Sequence, residues 1–195
     1  MTVILVVIVV ALLLGVARGG TMTNLAQLEL RSWGLVFLAL AVQAVGAFAA
    51  TIGLPHASLW YVLGMVGSAA LVTVFVARNR ELPGMALIAL GFVLNALVVT
   101  ANGAMPVDQA AADRVGISTV HLYQNVDAKH ELADSATRLR PLADVIPVPL
   151  PGPLRWGSNV VSVGDVVLAA GIGVLVLNAM LAVRERRAAK HVRRA

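Results

Sequence analysis

Apolar residues gather along the chain into five blocks of membrane-spanning length, given about 1.5 Å of helix rise per residue and a hydrocarbon layer about 30 Å thick. The clearest is residues 34–54, GLVFLALAVQAVGAFAATIGL, with Gln43 inside it. Residues 57–77 follow a break at Pro55-His56, and residues 84–101 are entered through Pro83 and left through Asn102-Gly103. Proline is favoured where a helix opens and Asn or Gly where one closes, so both boundaries read as helix ends. Residues 163–183 form another block, SNVVSVGD leading into VVLAAGIGVLVLNAML. Residues 1–17, MTVILVVIVVALLLGVA, lie at the short end of the spanning range. This block has neither the basic start nor the A-x-A exit of a secretory signal, so it reads as a retained helix. The pattern predicts an all-α integral membrane protein, a single membrane domain over residues 1–195 with about five transmembrane helices.

Polar positions between the blocks set the expected orientation. Ten Arg and Lys residues fall after the first block, after the third and in the tail RERRAAKHVRRA, against five in the connection over residues 101–162. Basic loops stay cytoplasmic, which predicts an outside N-terminus, a cytoplasmic tail beside anionic lipid, and residues 101–162 facing out. Trp33, Trp60 and Trp156 fall near predicted span ends, where an indole suits the membrane interface. A structureless connection of this length would be unusual, so the outward loop should fold against the membrane. Its first half is compatible with short helices, with Asp134 and Arg138 forming an i,i+4 pair. Its second half, IPVPLPGPL, alternates proline with mostly apolar residues; this predicts an edge strand or polyproline segment in which Val148, Leu150 and Leu154 need cover.

Composition narrows the chemistry. Hydrophobic residues make up 59% of the chain and charged residues 13%, outside the usual balance of a soluble domain. The absence of cysteine excludes disulfides, thiolate nucleophiles and thiolate metal sites. A net charge of +5, almost all from arginine, reads as topology and not as a nucleic-acid surface. KHELAD lacks the second histidine of H-E-x-x-H, so His130 and Glu131 read as a solvated helix face. His56 and His121 are isolated, and no metal or cofactor is predicted. Gln43 and Asn95, inside spans, read as amides hydrogen-bonded to neighbouring helices, while Gly64, Gly67, Gly171 and Gly173 allow close helix approach. No span carries a paired charge at its middle, which argues against a transporter.

One carboxylate, Asp165, opens the last apolar block. Ser162-Val163-Gly164-Asp165 fits the [ST]-x-x-[DE] capping pattern, in which Ser162 caps the helix and Asp165 reaches back to it. The same carboxylate, placed in the first turn of a membrane helix, can also pair with a second one. Two carboxylates sharing a proton can activate water with one member and protonate a carbonyl with the other. The candidate partner is Asp144, in LADVIPVPLP. The competing reading is a non-enzymatic scaffold or accessory subunit whose outward loop binds a partner. There Asp165 is an ordinary cap and Asp144 a surface turn residue.

NGAMPV over 102–107, TRLRPLADVIPVPLP over 137–151 and SNVVSVGDVVLAAGI over 158–172 resemble a family of bacterial multi-pass membrane proteins catalogued as a domain of unknown function. That resemblance implies a bacterial plasma-membrane location and no particular activity. The second half also resembles, more remotely, the lipoprotein signal peptidases, membrane aspartyl peptidases that cut lipid-modified precursors beside the outer leaflet. This second resemblance implies catalytic aspartates at Asp144 and Asp165, with Asn102, Arg138 and Ser162 as supporting positions. It also implies a membrane-embedded or lipid-modified substrate. Ser162 stands where that family has an asparagine before its second aspartate.

Overall fold

The computed structural model describes residues 2–52, 54–119 and 129–192, with side chains of the last helix through residue 182. Five long helices follow the five apolar blocks: α1 (Thr2–Ala17), α3 (Gly34–Thr51), α4 (Ala57–Arg78), α5 (Met85–Asn102) and α7 (Val163–Val192), with a short α2 (Met22–Ala26) after the first. Among the described residues, four of them (α3, α4, α5 and the 163–182 part of α7) are long and apolar enough to cross a membrane, and α1 is a shorter apolar helix. Element ends follow the local chemistry. Thr21 accepts a hydrogen bond from Asn24 N to cap α2, and Gly103, in the left-handed region at φ 91°, closes α5 by donating to Val99 O.

The long helices pack in sequence, α3 on α4, α4 on α5, α5 on α7 and α7 on α1. Lipid tails are as apolar as leucine, so helix contact there relies on close fit and not on hydrophobic burial. Glycines supply that fit between the antiparallel α5 and α7. A Cβ on Gly91 would lie 2.6 Å from Gly164 O and 2.7 Å from Leu168 Cβ, and one on Gly171 would lie 2.8 Å from Gly84 O. Gly64 meets Gly46 of α3, and Gly173 faces Val7 of α1, so these glycines act as the close-approach points their sequence suggested. Side-chain amides complete the frame. Asn79 accepts from Arg31 N at 2.8 Å and donates to Arg31 O and Phe75 O, and Asn24 donates to Met180 O at 2.7 Å.

The connection between α5 and α7 forms a compact layer, which adds short strands to a fold that is otherwise helical as expected. It contains α6 (Gln109–Val115) and two small sheets, β1 (Met105–Val107) parallel to β2 (His130–Leu132), and β3 (Ile146–Val148) antiparallel to β4 (Asn159–Val161). Asp108 caps α6 by accepting from Ala111 N at 3.0 Å, so the short-helix expectation holds there. His130 and Glu131 lie on β2 instead of on a helix, because the N–H and C=O groups flanking them pair with β1, Met105 N donating to Lys129 O and Ala133 N to Val107 O. Residues 134–137 form a turn, not a helix: Asp134 Oδ1 accepts from Ala136 N at 2.8 Å, and Asp134 N donates to Thr137 Oγ1 at 2.8 Å. This local bonding replaces the predicted Asp134–Arg138 pair, as short polar side chains commonly divert the backbone from helix. The first proline-alternating residues do form a strand, whereas Leu154 is 53% exposed and not covered as expected. His121 lies outside the described residues.

Val107, Ala111, Ala112, Val115 and Val160 form the core of this layer. Met105 and Ala143 join it to the helices by packing with Ala47, Tyr61, Met65 and Val99.

Candidate functional site

Asp144 and Asp165 flank the β3–β4 hairpin. Asp144 stands two residues before β3, and β4 runs through Ser162 into α7. The register pairs Ile146 with Val161, so continuing it by two residues places Asp144 opposite residue 163. Both ends of the hairpin thus bring their aspartates to its base.

Asp144 is also held from its other side. Val107 and Asp144 form a parallel bridge in which Asp144 N donates to Pro106 O at 3.0 Å and Asp108 N donates to Asp144 O at 2.9 Å. Wedged between β1 and the start of α7, Asp144 is 7% exposed, and among the described residues its Oδ1 is the one buried side-chain oxygen or nitrogen with no hydrogen-bond partner. Burial pushes its carboxyl up to about 7, and the nearby negative charge of Asp165 adds to the rise. An unpaired buried carboxylate is costly, so protonation relieves it.

Asp165 has the opposite surroundings. Its Oδ1 accepts from Asn95 Nδ2 of α5 at 2.7 Å, and its Oδ2 accepts from Ser162 N at 3.4 Å. Ser162 Oγ accepts from Asp165 N at 2.9 Å and donates to Asn95 Oδ1 at 2.8 Å. The capping box read from the sequence is formed and extended by Asn95 into a closed ring joining α5 to α7. Gly164 makes the ring possible, since a Cβ there would collide with the Asn95 amide.

Asn102 and Arg138 also come together, although through backbone. Asn102 Oδ1 accepts from Arg138 N at 2.8 Å and its Nδ2 donates to Arg138 O at 3.0 Å, while the Arg138 side chain is exposed. These two therefore fasten the layer to the end of α5. Asn95 was legible in the sequence only as a helix-packing amide. Its spacing of seven from Asn102, two turns along one face, was the available signal. Elsewhere in the layer, Arg140 pairs with Asp108 at 3.0 Å and holds that carboxyl below its usual value, while burial raises Glu131. Among the described residues no cluster of three or more His, Asp or Glu side chains could hold a metal ion.

These features define a helical protein with several apolar helices of membrane-crossing length and a folded layer joining two of them. The chain belongs to the family described as "Family of unknown function (DUF5317)", whose model matches residues 27–177. It is 34% identical over 107 residues to an "Uncharacterized protein" of Thermotoga maritima; the match covers 54% of this chain and 57% of that relative's length. No solved structure matches the chain.

Proposed function

We propose that this is a multi-pass protein of the bacterial plasma membrane, with five spans, an outside N-terminus, a cytoplasmic tail and an outward-facing acid–base pair, Asp144 and Asp165. The single observation that carries the site is the asymmetry of the two carboxylates. Asp144 is buried with an unpartnered oxygen, and the donor-held Asp165 lies near enough for its charge to act on Asp144. A buried carboxyl that keeps its proton can act as acid beside a second carboxylate that takes one. Asp165 keeps free lone pairs beyond those used by Asn95 and Ser162, so it can accept a proton from water as the water oxygen attacks an amide or ester carbonyl. Asp144 donates its proton to the carbonyl oxygen, giving a neutral tetrahedral diol; on collapse the C–N or C–O bond breaks, Asp165 returns its proton to the departing amine or alcohol, and Asp144 takes back a hydroxyl proton as the carboxylic acid forms. The reaction class is hydrolysis, and the resemblance to lipoprotein signal peptidases supports a lipid-modified substrate.

Asp144→Asn, Asp165→Asn and the double variant test this in cells lacking the native gene, with protein level measured beside the deletion phenotype. Each single change should fail to restore function as fully as the double, because paired groups act as a unit. Restoration by both single variants overturns the pair. Accumulation of uncut lipid-modified precursors in the deletion strain is expected; unchanged precursors remove the peptidase reading alone. Reporter fusions after Arg80, Ser135 and Ala182 test the topology, and cytoplasmic activity at Ser135 overturns it.

A second reading is favoured by the closed Asn95–Ser162–Asp165 ring, which by itself accounts for Asp165 as a cap tying two helices together. Under it, the outward layer is a scaffold that binds a partner, and Asp144→Asn restores function fully.

A further inference from the structure

The β3–β4 hairpin carries an unusual tip. Ladder pairing ends at Val148 and Asn159, and Ser158 Oγ accepts from Leu150 N at 2.9 Å, closing the neck beyond the last pair. Past the neck, the chain forms a helical turn over Gly152–Gly157 with prolines at 151 and 153. Proline at these positions restricts the backbone, so the tip keeps its shape without a core of its own. Its side chains are those a water-facing turn avoids. Trp156 is 87% exposed and Leu154 53%, with Arg155 also exposed between them.

The location of the tip identifies what covers it. A Cβ on Gly157 would lie 3.8 Å from both Oγ1 and Cγ2 of Thr2, so the residue after Trp156 lies beside the first turn of α1. One turn further along α1 begins its uncovered apolar face, Leu5 and Val6, followed by Val9 and Val10. The indole therefore lies at the level where α1 enters the hydrocarbon. A Trp–Leu pair flanked by an arginine matches that zone chemically: the apolar ring enters the acyl boundary, the indole N–H meets ester carbonyls, and the guanidinium meets lipid phosphates.

We infer that the hairpin tip, residues 150–158, is an interfacial membrane anchor that seats Trp156 and Leu154 in the headgroup–acyl boundary of the leaflet beside the start of α1. The occupant of this apolar surface is lipid, and Arg155 gives it a preference for anionic headgroups. The anchor does not depend on the aspartate pair being catalytic.

The chain has no cysteine, so single cysteines can be introduced without removing others. The full protein would be reconstituted in vesicles of zwitterionic lipid with a minor anionic component. Spin labels at Trp156→Cys and, as a water-facing control, at the exposed Ser135→Cys would be compared for accessibility to oxygen and to a water-soluble nickel complex. Label 156 should favour oxygen severalfold over nickel relative to label 135. Because the label replaces the indole, Trp156 is also followed as native fluorophore in Trp33→Phe/Trp60→Phe, where shallow brominated lipids should quench it more than deep ones. Water-like accessibility at 156 together with no bromine quenching overturns the anchor. So does shielding of 156 from both oxygen and nickel, which would mark a protein partner on this surface.

Discussion

Replacing Asp144 by Asn turns the strangest feature of the site into a measurement. The folded protein holds a proton on this carboxyl up to about pH 7, whereas the unfolded chain releases it near 3.8. Between those values the folded state binds more protons than the unfolded state, so this group's stabilising contribution is fully present below about pH 4. It falls as pH rises and is gone above about pH 7. At about 1.4 kcal/mol per pH unit, the window from 3.8 to about 7 corresponds to about 4 kcal/mol. Asparagine has the shape of a protonated aspartate and no charge to lose. Its extra N–H costs no more than about 1–3 kcal/mol if it finds no acceptor. Asp144→Asn should therefore match or fall slightly below the native protein at pH 4 and exceed it at pH 8. The difference curve should rise across the same window. Unfolding in nanodiscs, monitored at several pH values for both proteins, gives that curve, and taking the difference cancels carboxylates common to the two. A flat difference between pH 4 and pH 8 would refute the reasoning, because it would mean that Asp144 is ionised in the fold as it is in the unfolded chain.

Asp165→Asn should lower the titration midpoint of Asp144 from about 7 without returning it to 3.8, since burial is the larger cause; carbon-13 NMR of labelled Asp side chains reads this directly. Gly91→Ala should force α5 and α7 apart, its methyl meeting Gly164 O and Leu168 Cβ below 3 Å, and should destabilise by about 1–3 kcal/mol as overpacked sites do. Stability equal to the native protein in the same unfolding assay would contradict that close approach. Asn102→Ala removes both bonds to the Arg138 backbone and should make residues 134–140 sensitive to protease added outside intact vesicles, with the spans still folded.

Hydrophobic pattern alone located both ends of α1, α3, α4 and α5 and the start of α7 to within a few residues, because each must present an apolar surface over a length that nothing else in the chain shares; the last block stopped at 183, whereas α7 continues through its basic tail to Val192. The block over 34–54 overshot by three residues, helix α3 ending at Thr51 before the Pro55 break. The layer between α5 and α7 was less legible for a definite reason. Its strands are three residues long, too short for alternation to register, and β1 and β2 meet across a separation that only the fold supplies. At 134–137, Asp134 and Thr137 bond the backbone locally, a competition that a helical charge pattern does not reveal. The cap at Ser162 and Asp165 was readable because it is a four-residue motif. The burial of Asp144 was not, since it depends on β1 lying against its backbone.

The hairpin ties these observations together. Asp144 and Ser162 lie at its base, and the exposed Trp156 lies at its tip. At about 3.3 Å per strand residue, the path from Asp144 to Val148 is about 13 Å. A tip seated in the headgroup boundary would tether the base to the lipid surface through this short ladder and the turn beyond it. The layer is also fastened at the end of α5 by Asn102, so it is held at both sides and has little freedom to tilt away. A soluble substrate gains nothing from such placement, whereas an amphiphile anchored in the same leaflet meets the two carboxylates at a fixed height. The proposed pair and the proposed anchor thus point to the same kind of substrate from independent residues. They remain separable by experiment: Asp144→Asn leaves every residue of the tip in place and should not change the depth of Trp156, while Trp156→Ala should alter depth and leave the titration of Asp144 as it was.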